Sequence, residues 1–244
     1  MPKIKQVGKN HITRYVNMLE TLKNLKNLIV VSGHFGAGKT NFAVNLAKAK
    51  RDAGFAVTLM DLDIVNPYFR AADNVAELEA LGIRCIVPDF ANTNVDIPSL
   101  PPTVLGALES HSRESGRVTI IDVGGDNGAV ALGMYNRFFR DGEYELLYVL
   151  NKYRPLTEDA DGAEMILREI EYSGRLRATG VVNNSNLGRE TTAPDIIDTH
   201  QWAIEFADHC KLPLICTCAD SSFFGSLSDI PDVFFIENAT KQIF

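Results

Sequence analysis

The stretch Gly33-His-Phe-Gly-Ala-Gly-Lys-Thr40 directly follows the apolar run Leu28-Ile-Val-Val-Ser32. It fits the pattern G-x-x-x-x-G-K-[ST], in which a strand leads into a glycine-rich loop and a helix. Glycines let backbone N–H groups approach a phosphate closely, and the start of the helix adds its positive end. The sequence therefore predicts a polyphosphate-binding loop. The residues predicted to surround the phosphates are Gly33, His34, Phe35, Gly36, Ala37, Gly38, Lys39, Thr40 and Asn41.

Two side chains of this loop carry the predicted chemistry. Lys39 is expected to reach the β- and γ-phosphate oxygens and to stabilise the charge that develops on a transferring phosphoryl group. Thr40 is expected to place its hydroxyl on Mg²⁺. The opposing interpretation is a chance glycine turn before a surface lysine, which the flanking strand and the amphipathic continuation after residue 40 disfavour.

Composition favours a soluble, enzyme-like chain. With 244 residues, 45% of them hydrophobic, the chain can bury one large core, so we expect a single nucleotide-binding domain over 1–244 with a helical extension at 1–27. The 24 basic and 31 acidic residues give a net charge of −7, which disfavours nucleic-acid or anionic-membrane partners. Neither a bilayer-spanning apolar run nor a signal peptide is evident, so a cytoplasmic location with reduced cysteines is expected.

Short runs rich in Val and Ile alternate with helical patterns along the chain. This alternation predicts an α/β P-loop NTPase fold, with a mostly parallel central sheet and helices on both faces. The predicted strands are 28–32, 56–61, 83–87, 117–123, 144–150, 178–183 and 212–217. The predicted helices are 39–53, 69–81, 102–111, 128–140, 157–173 and 194–210.

Acidic residues follow two of the predicted strands. Asp61 and Asp63 come at the end of strand 56–61, and Asp122 ends the apolar run Thr119-Ile-Ile-Asp122. Because ligands of open α/β sheets bind at the carboxyl ends of strands, we expect Asp122 to hold Mg²⁺ directly or through water. The alternative is that these acids only cap the following turns or helices.

The order GHFGAGKT, DLDIVNPYF, IIDVGGD, VLNKYRPLTEDA and GVVNNSNLG resembles the MinD/ParA/Mrp branch of the P-loop NTPases, in the SIMIBI class and the CobQ/CobB/MinD/ParA superfamily. The likeness runs from about residue 28 to 230. It implies that Asp63 orients or activates the attacking water and that Asp61 helps to hold Mg²⁺. It also implies a homodimer with nucleotide at the interface.

The chain departs from this family at His34. MinD-like and ParA-like proteins carry a second lysine there, which crosses to the partner's nucleotide, and a neutral imidazole supplies no permanent positive charge. Activation of hydrolysis in trans by this residue is therefore in doubt. A loop residue packed beside Phe35 and a phosphate-contacting residue remain the two interpretations of His34.

The sequence gives only a weak indication of which nucleotide base the site prefers. Asn151-Lys152-Tyr153-Arg154 is similar to the guanine-reading pattern Asn-Lys-x-Asp, but Arg154 replaces the aspartate, which argues against GTP. By resemblance, Asn183 is placed to pair with adenine, and the loop with Asp220 is placed to close over the base. We therefore expect ATP with Mg²⁺ as the bound nucleotide.

Three further segments have ordinary explanations beside functional ones. Cys216 and Cys218 are two residues apart, which would place both sulfurs on one face of a strand. The pair is more typical of buried thiols than of a metal site. Residues 10–26 read as an amphipathic helix docked on the sheet, with partner or membrane contact as the alternative. Residues 66–70 combine two aromatic residues and Arg70, which suits either a core contact or a recognition patch for an unknown protein client.

The sequence thus predicts a slowly hydrolysing Mg-ATPase that acts as a nucleotide-dependent switch. Two alternatives stay open at this point. One is an ATP-dependent ligase or synthetase resembling the CobQ/CobB/dethiobiotin synthetase relatives. The other is a regulatory module that binds nucleotide and scarcely hydrolyses it.

Overall fold

A computed structural model describes residues 18–62, 72–87, 102–113, 116–133 and 135–238. The strands are β1 (Leu28–Ser32), β2 (Ala56–Asp61), β3 (Ile83–Ile86), β4 (Arg117–Asp122), β5 (Tyr144–Leu150), β6 (Gly180–Asn183), β7 (Leu214–Asp220) and β8 (Val233–Ile236). The helices are α1 (described over 18–24), α2 (Lys39–Asp52), α3 (Ala72–Ala80), α4 (Pro102–Arg113), α5 (Asp126–Gly133), α6 (Ala160–Gly174) and α7 (Ala193–Cys210).

The eight strands form one sheet in the order β3-β2-β4-β1-β5-β6-β7-β8. Every ladder between them is parallel, which confirms the predicted α/β class and mostly parallel sheet. Strand β1 lies between β4 and β5 although it comes first in the chain, so its carboxyl end is near the middle of the sheet edge. The glycine loop that follows β1 is therefore flanked by the loops after β4 and β5.

Hydrophobic side chains alternate between the two faces of the sheet, as the twofold repeat of a strand requires. Val30 and Tyr148 face a layer formed by α4, α5, α6 and part of α7. Val31 and Val149 face the opposite layer, which contains α1, α2 and α3. Helices thus cover both faces, as predicted, and the strands in the middle of the sheet are buried on both sides.

Several element boundaries differ from the sequence prediction. Strand β8 follows Pro231 and was not predicted, although β3 and β6, which also have four residues, were. The helix predicted over 128–140 is instead α5, which ends at Gly133, followed by a 3-10 turn over Asn136–Phe138. A Cβ atom at Gly133 would lie 2.6 Å from the carbonyl oxygen of Ser173, so glycine permits the close packing of α5 on α6.

The described part of the predicted N-terminal helix packs on the sheet. Met18 and Leu22 of α1 are buried in the same cluster as Phe42 of α2. The side chain of Lys50 fixes the connection that follows, because its ammonium group donates to the carbonyl oxygens of Lys23 and Leu25 at 2.9 and 3.1 Å. Within the described ranges, none of the helices has the length and apolar character needed to cross a bilayer.

Candidate nucleotide-binding site

The glycine loop leaves β1 and forms a concave turn that leads into α2. Gly36 and Gly38 have φ of 73° and 84°, backbone conformations that favour glycine. A Cβ atom at Gly33 would collide with the carbonyl oxygen of Val149, and one at Gly38 would collide with the side-chain amide of Asn184. The loop therefore needs glycine for two reasons, its turns and its close approach to Val149 in β5 and to Asn184 after β6.

Lys39 begins helix α2 and is buried, with 6% of its surface exposed. Its ammonium group donates to the carbonyl oxygen of His34 at 3.2 Å, so the side chain folds back over the glycine loop. This places the positive charge beside the backbone N–H groups of the loop. Both kinds of group attract an anion, and together they fit a polyphosphate.

Thr40 faces the end of β4. Its hydroxyl donates to the carboxylate of Asp122 at 2.5 Å, and Asp122 is fully buried. The neighbouring strand brings Asp61 to the same place, because Asp61 and Asp122 are paired residues in the β2–β4 register. The structure thus brings together the three predicted metal ligands, Thr40, Asp61 and Asp122, whereas Asp63 lies outside the described residues.

The donor set suits Mg²⁺ as it occurs in nucleotide sites, where the ion takes few protein ligands and keeps waters and phosphate oxygens. Among the described residues there is no group of three or more His, Cys, Asp or Glu side chains that could hold a metal without a nucleotide. Near the loop, Ser32 Oγ and His34 Nδ1 are buried polar atoms without a partner in the described ranges. The residues present therefore fit a magnesium nucleotide.

A cleft with a volume of about 490 Å³ extends from the glycine loop along the carboxyl ends of β6, β7 and β8. Gly36, Gly38 and Asn41 line one end of the cleft, and Ala219 and Asp220 lie in its wall at the end of β7. Two arginines, Arg154 and Arg189, also line the cleft. The other polar residues of its wall are Asn184, Ser185, Asn186, Thr191, Ser222 and Asn238.

Asp220 occupies the predicted position, whereas Asn183 does not line the cleft. The side chain of Asn183 is fully buried; its amide nitrogen lies 3.4 Å from the Thr217 hydroxyl, and its oxygen accepts the N–H of Ser185. In this arrangement the amide of Asn183 is engaged within the protein, and its contact with adenine stays a prediction.

Asn184 takes the place next to the ligand site. Its amide nitrogen donates to the carbonyl oxygen of Ala37 at 2.8 Å, and it lines the cleft. It therefore connects the end of β6 to the glycine loop. Two adjacent asparagines are indistinguishable in the sequence, and only the direction of the chain after the strand decides which one reaches the loop.

Two loops at this edge, those after β5 and β6, are joined by a polar network centred on Asn151, which is fully buried. Its side-chain oxygen accepts the backbone N–H groups of Tyr153 and Asn186 at 3.0 and 3.4 Å. Ser185 Oγ accepts the N–H of Lys152 at 2.9 Å. The Asn-Lys-x-x segment, which resembles a base-reading motif in the sequence, therefore acts here as a support for the loop after β6.

The remaining loop residues are exposed to different degrees. Phe35 has 66% of its surface exposed, and His34 is half-buried. The phenyl ring beside the imidazole is thus not a core contact. This exposure does not decide between a loop residue packed beside Phe35 and a phosphate-contacting residue, so both interpretations of His34 stay predictions.

Cys216 and Cys218 are both buried in β7. Burial, and then the hydrogen bond with Cys216, raise the pKa of the Cys218 thiol well above its usual value. Cys218 contributes an apolar part of the cleft wall.

His200 supports the same edge from α7, and we expect it to make stability depend on pH. Its Nδ1 lies 2.8 Å from Thr217 Oγ1, and burial lowers its pKa, an effect that the charge of Asp232 partly opposes. Because the folded-state pKa is below the unfolded value of about 6.5, the unfolded chain binds the proton first, and stability falls as pH drops from about 6.5 through the folded-state pKa.

Urea unfolding at pH 7 and pH 5 measures this effect. We expect a lower free energy of unfolding at pH 5, and a smaller difference between the two pH values in His200→Gln. Burial followed by the charge of Arg117 also lowers the pKa of His111, so part of the pH dependence is expected to remain in that variant. An unchanged pH dependence in His200→Gln would show that His200 does not contribute.

The chain was compared with known proteins. No protein-family model matches the sequence, and no curated protein matches it. Solved structures do match: FtsY from Thermotoga maritima is 19% identical, with 92% of this chain and 78% of that chain covered and a TM-score of 0.53. The signal recognition particle receptor FtsY from Elizabethkingia anophelis is 17% identical, with 95% and 71% covered and a TM-score of 0.52.

A further structure of the Elizabethkingia receptor is a complex with GDP; it is 17% identical, with 88% of this chain and 67% of that chain covered and a TM-score of 0.53. The chain has a P-loop NTPase fold. At 17–19% identity these neighbours show the fold alone, and they do not distinguish the MinD/ParA members from other P-loop NTPases.

Proposed function

We propose that this chain is a Mg-ATP-binding P-loop ATPase of the MinD/ParA type, which hydrolyses slowly and acts as a nucleotide-dependent switch. The observation that carries the proposal is the contact between Thr40 and Asp122 directly below the glycine loop. It joins the predicted phosphate site and the predicted metal site in one place, at the end of a cleft of about 490 Å³.

The proposed division of labour follows from the positions of the described residues. The loop N–H groups bind the β-phosphate, and Lys39 neutralises charge on the β- and γ-oxygens. Thr40, Asp61 and Asp122 would hold Mg²⁺, which supplies further neutralisation of the phosphate oxygens when it is bound. Asn184 holds the loop in shape, and Asp220 offers carboxylate oxygens to the exocyclic amine of a purine.

ATP is proposed over GTP because Arg154, not an aspartate, ends the Asn-Lys-x-x segment, and because that segment supports the neighbouring loop.

We further propose that residues 1–244 form a single domain with an N-terminal extension and that the protein is cytoplasmic. We propose that it forms a homodimer and that it acts on an unidentified protein client. The net charge of −7 makes a nucleic-acid partner or an anionic-membrane surface unfavourable.

Nucleotide binding and phosphate release, measured with Mg-ATP and with Mg-GTP, test the proposal. Slow phosphate release from ATP in water, with nucleotide-dependent dimerisation, is the expected result. Release that requires a carboxylate substrate would indicate the ligase instead. Tight binding without release would indicate a regulatory module, and preference for GTP would overturn the assignment of the base.

Asp63 is proposed to orient the attacking water because the resemblance of Asp61-Leu-Asp63 to the Asp-x-Asp of the MinD/ParA family implies that role. Asp63→Ala is expected to bind Mg-ATP like the parent protein and to lose at least tenfold in phosphate release, about 1.4 kcal/mol of barrier. Single-turnover release at saturating ATP measures the chemical step. Release at the parental rate would remove Asp63 from this role.

A further inference from the structure

Arg154 lies against the glycine loop, although it is far from the loop in sequence. Its Nε donates to the carbonyl oxygen of Gly36 at 2.9 Å. A Cβ atom at Gly36 would lie 3.4 Å from this nitrogen and 3.5 Å from Cδ of the arginine. The guanidinium thus occupies the side of the loop where glycine leaves room.

The backbone that carries Arg154 is held in place. Its N–H donates to the carbonyl oxygen of Asn151 at 3.2 Å, and its own carbonyl oxygen accepts the N–H of Thr157 at 3.1 Å. The hydroxyl of Thr157 donates to the same Asn151 carbonyl oxygen at 2.7 Å. Because Asn151 and Thr157 are buried, this turn presents the arginine from a fixed base.

The guanidinium has N–H donors that the bond to Gly36 does not use. An arginine side chain carries five N–H donors, and in the described part of the chain one bond, from Nε to Gly36, is formed. The side chain is half-buried and lines the cleft. A permanent cation with free donors, beside a loop whose N–H groups attract anions, is suited to bind phosphate oxygens.

We propose that Arg154 binds the phosphate chain of the nucleotide in cis, as a second permanent positive charge beside Lys39. This inference rests on the proposed function. Nε holds the loop through Gly36, and the two terminal nitrogens of the guanidinium contact the anion. Arg154 is therefore a binding residue of the site, contributed by the loop between β5 and α6.

Glutamine at position 154 separates these two parts of the side chain. Its amide nitrogen is the same number of bonds from Cα as the arginine Nε, so Arg154→Gln can keep the bond to the Gly36 carbonyl oxygen. It removes the positive charge and the terminal nitrogens. Arg154→Met removes the bond to Gly36 as well. Arg140→Gln is the matched control, because Arg140 is exposed and precedes β5 at the opposite edge of the sheet.

The experiment is calorimetric titration of the parent and the three variants with Mg-ATP, Mg-ADP and adenosine, at low and at moderate salt. In Arg154→Gln we expect affinity for Mg-ATP to fall about tenfold, the magnitude typical of a charged hydrogen bond. Affinity for adenosine is expected to stay unchanged, and the salt dependence of Mg-ATP binding to become weaker. Arg140→Gln is expected to bind like the parent.

Parental affinity for Mg-ATP in Arg154→Gln, with loss only in Arg154→Met, would show that the arginine only supports the loop and would overturn the proposal. Equal losses for Mg-ATP and adenosine would overturn it too, because they indicate a disturbed cleft. If the parent binds no magnesium nucleotide, the proposed function itself fails. The parental titration therefore distinguishes the two failures.

Discussion

Lys39→Ala is expected to weaken the binding of Mg-ATP at least 100-fold, about 2.7 kcal/mol. The ammonium group of Lys39 is buried and has a backbone carbonyl oxygen, that of His34, as its hydrogen-bond acceptor. A phosphate oxygen is a stronger partner for a buried cation than a neutral carbonyl, so much of the binding energy is expected to come from this exchange. Calorimetry with Mg-ATP measures the loss.

Lys48→Ala is the matched control for this variant. Lys48 is on the same helix, and its ammonium group contacts Glu77 at 3.4 Å on the outside of the domain. It is expected to bind Mg-ATP like the parent, and both variants are expected to keep parental stability in urea within about 1 kcal/mol. Equal binding by Lys39→Ala and the parent would contradict the assignment of the glycine loop as the phosphate site.

Asp122→Asn is expected to slow magnesium-dependent phosphate release about 100-fold, about 2.7 kcal/mol of barrier. The carboxylate is fully buried, accepts the hydroxyl of Thr40, and lies opposite Asp61 in the β2–β4 register. Two acids at adjacent strand ends favour a divalent cation. Asparagine keeps the shape and an acceptor oxygen for Thr40 but removes the charge that would hold the ion.

Phosphate release over a range of Mg²⁺ concentrations measures this effect, and the variant is expected to need more Mg²⁺ for half-maximal release. Asp208→Asn, an exposed change on α7, is the control for the loss of one negative charge. A parental Mg²⁺ dependence in Asp122→Asn would show that the ion is held elsewhere.

Much of the fold follows from the sequence because buried parallel strands are recognisable. The predicted starts of β1, β2, β4 and β5 agree with the structure, since each strand is rich in Val, Ile, Leu or Met and ends in or beside a polar residue. Strand β8 was not predicted. Helix α5 ends earlier than predicted, at Gly133, where the close approach to Ser173 of α6 leaves no room for a Cβ atom, and a contact between residues so distant in sequence is not visible in the local pattern.

The candidate site was predictable where a contiguous motif or the end of an apolar strand marks its residues. The glycine loop is contiguous, and Asp61 and Asp122 end strands that pair with each other, so all of these residues fall at one edge. The contributions of Arg154 and Asn184 depend on contacts between loops, with Gly36 and Ala37 respectively. In the sequence Arg154 is only a departure from a base-reading motif, and its contact with the carbonyl oxygen of Gly36 is seen only in the structure.

The most direct test of the account is a crystal structure with Mg²⁺ and a non-hydrolysable ATP analogue. The account predicts that the β-phosphate lies among the backbone N–H groups of residues 36–40, with the ion between Thr40 and Asp122. A structure in which the analogue binds elsewhere, or in which the protein's own side chains fill the concave loop, would contradict it.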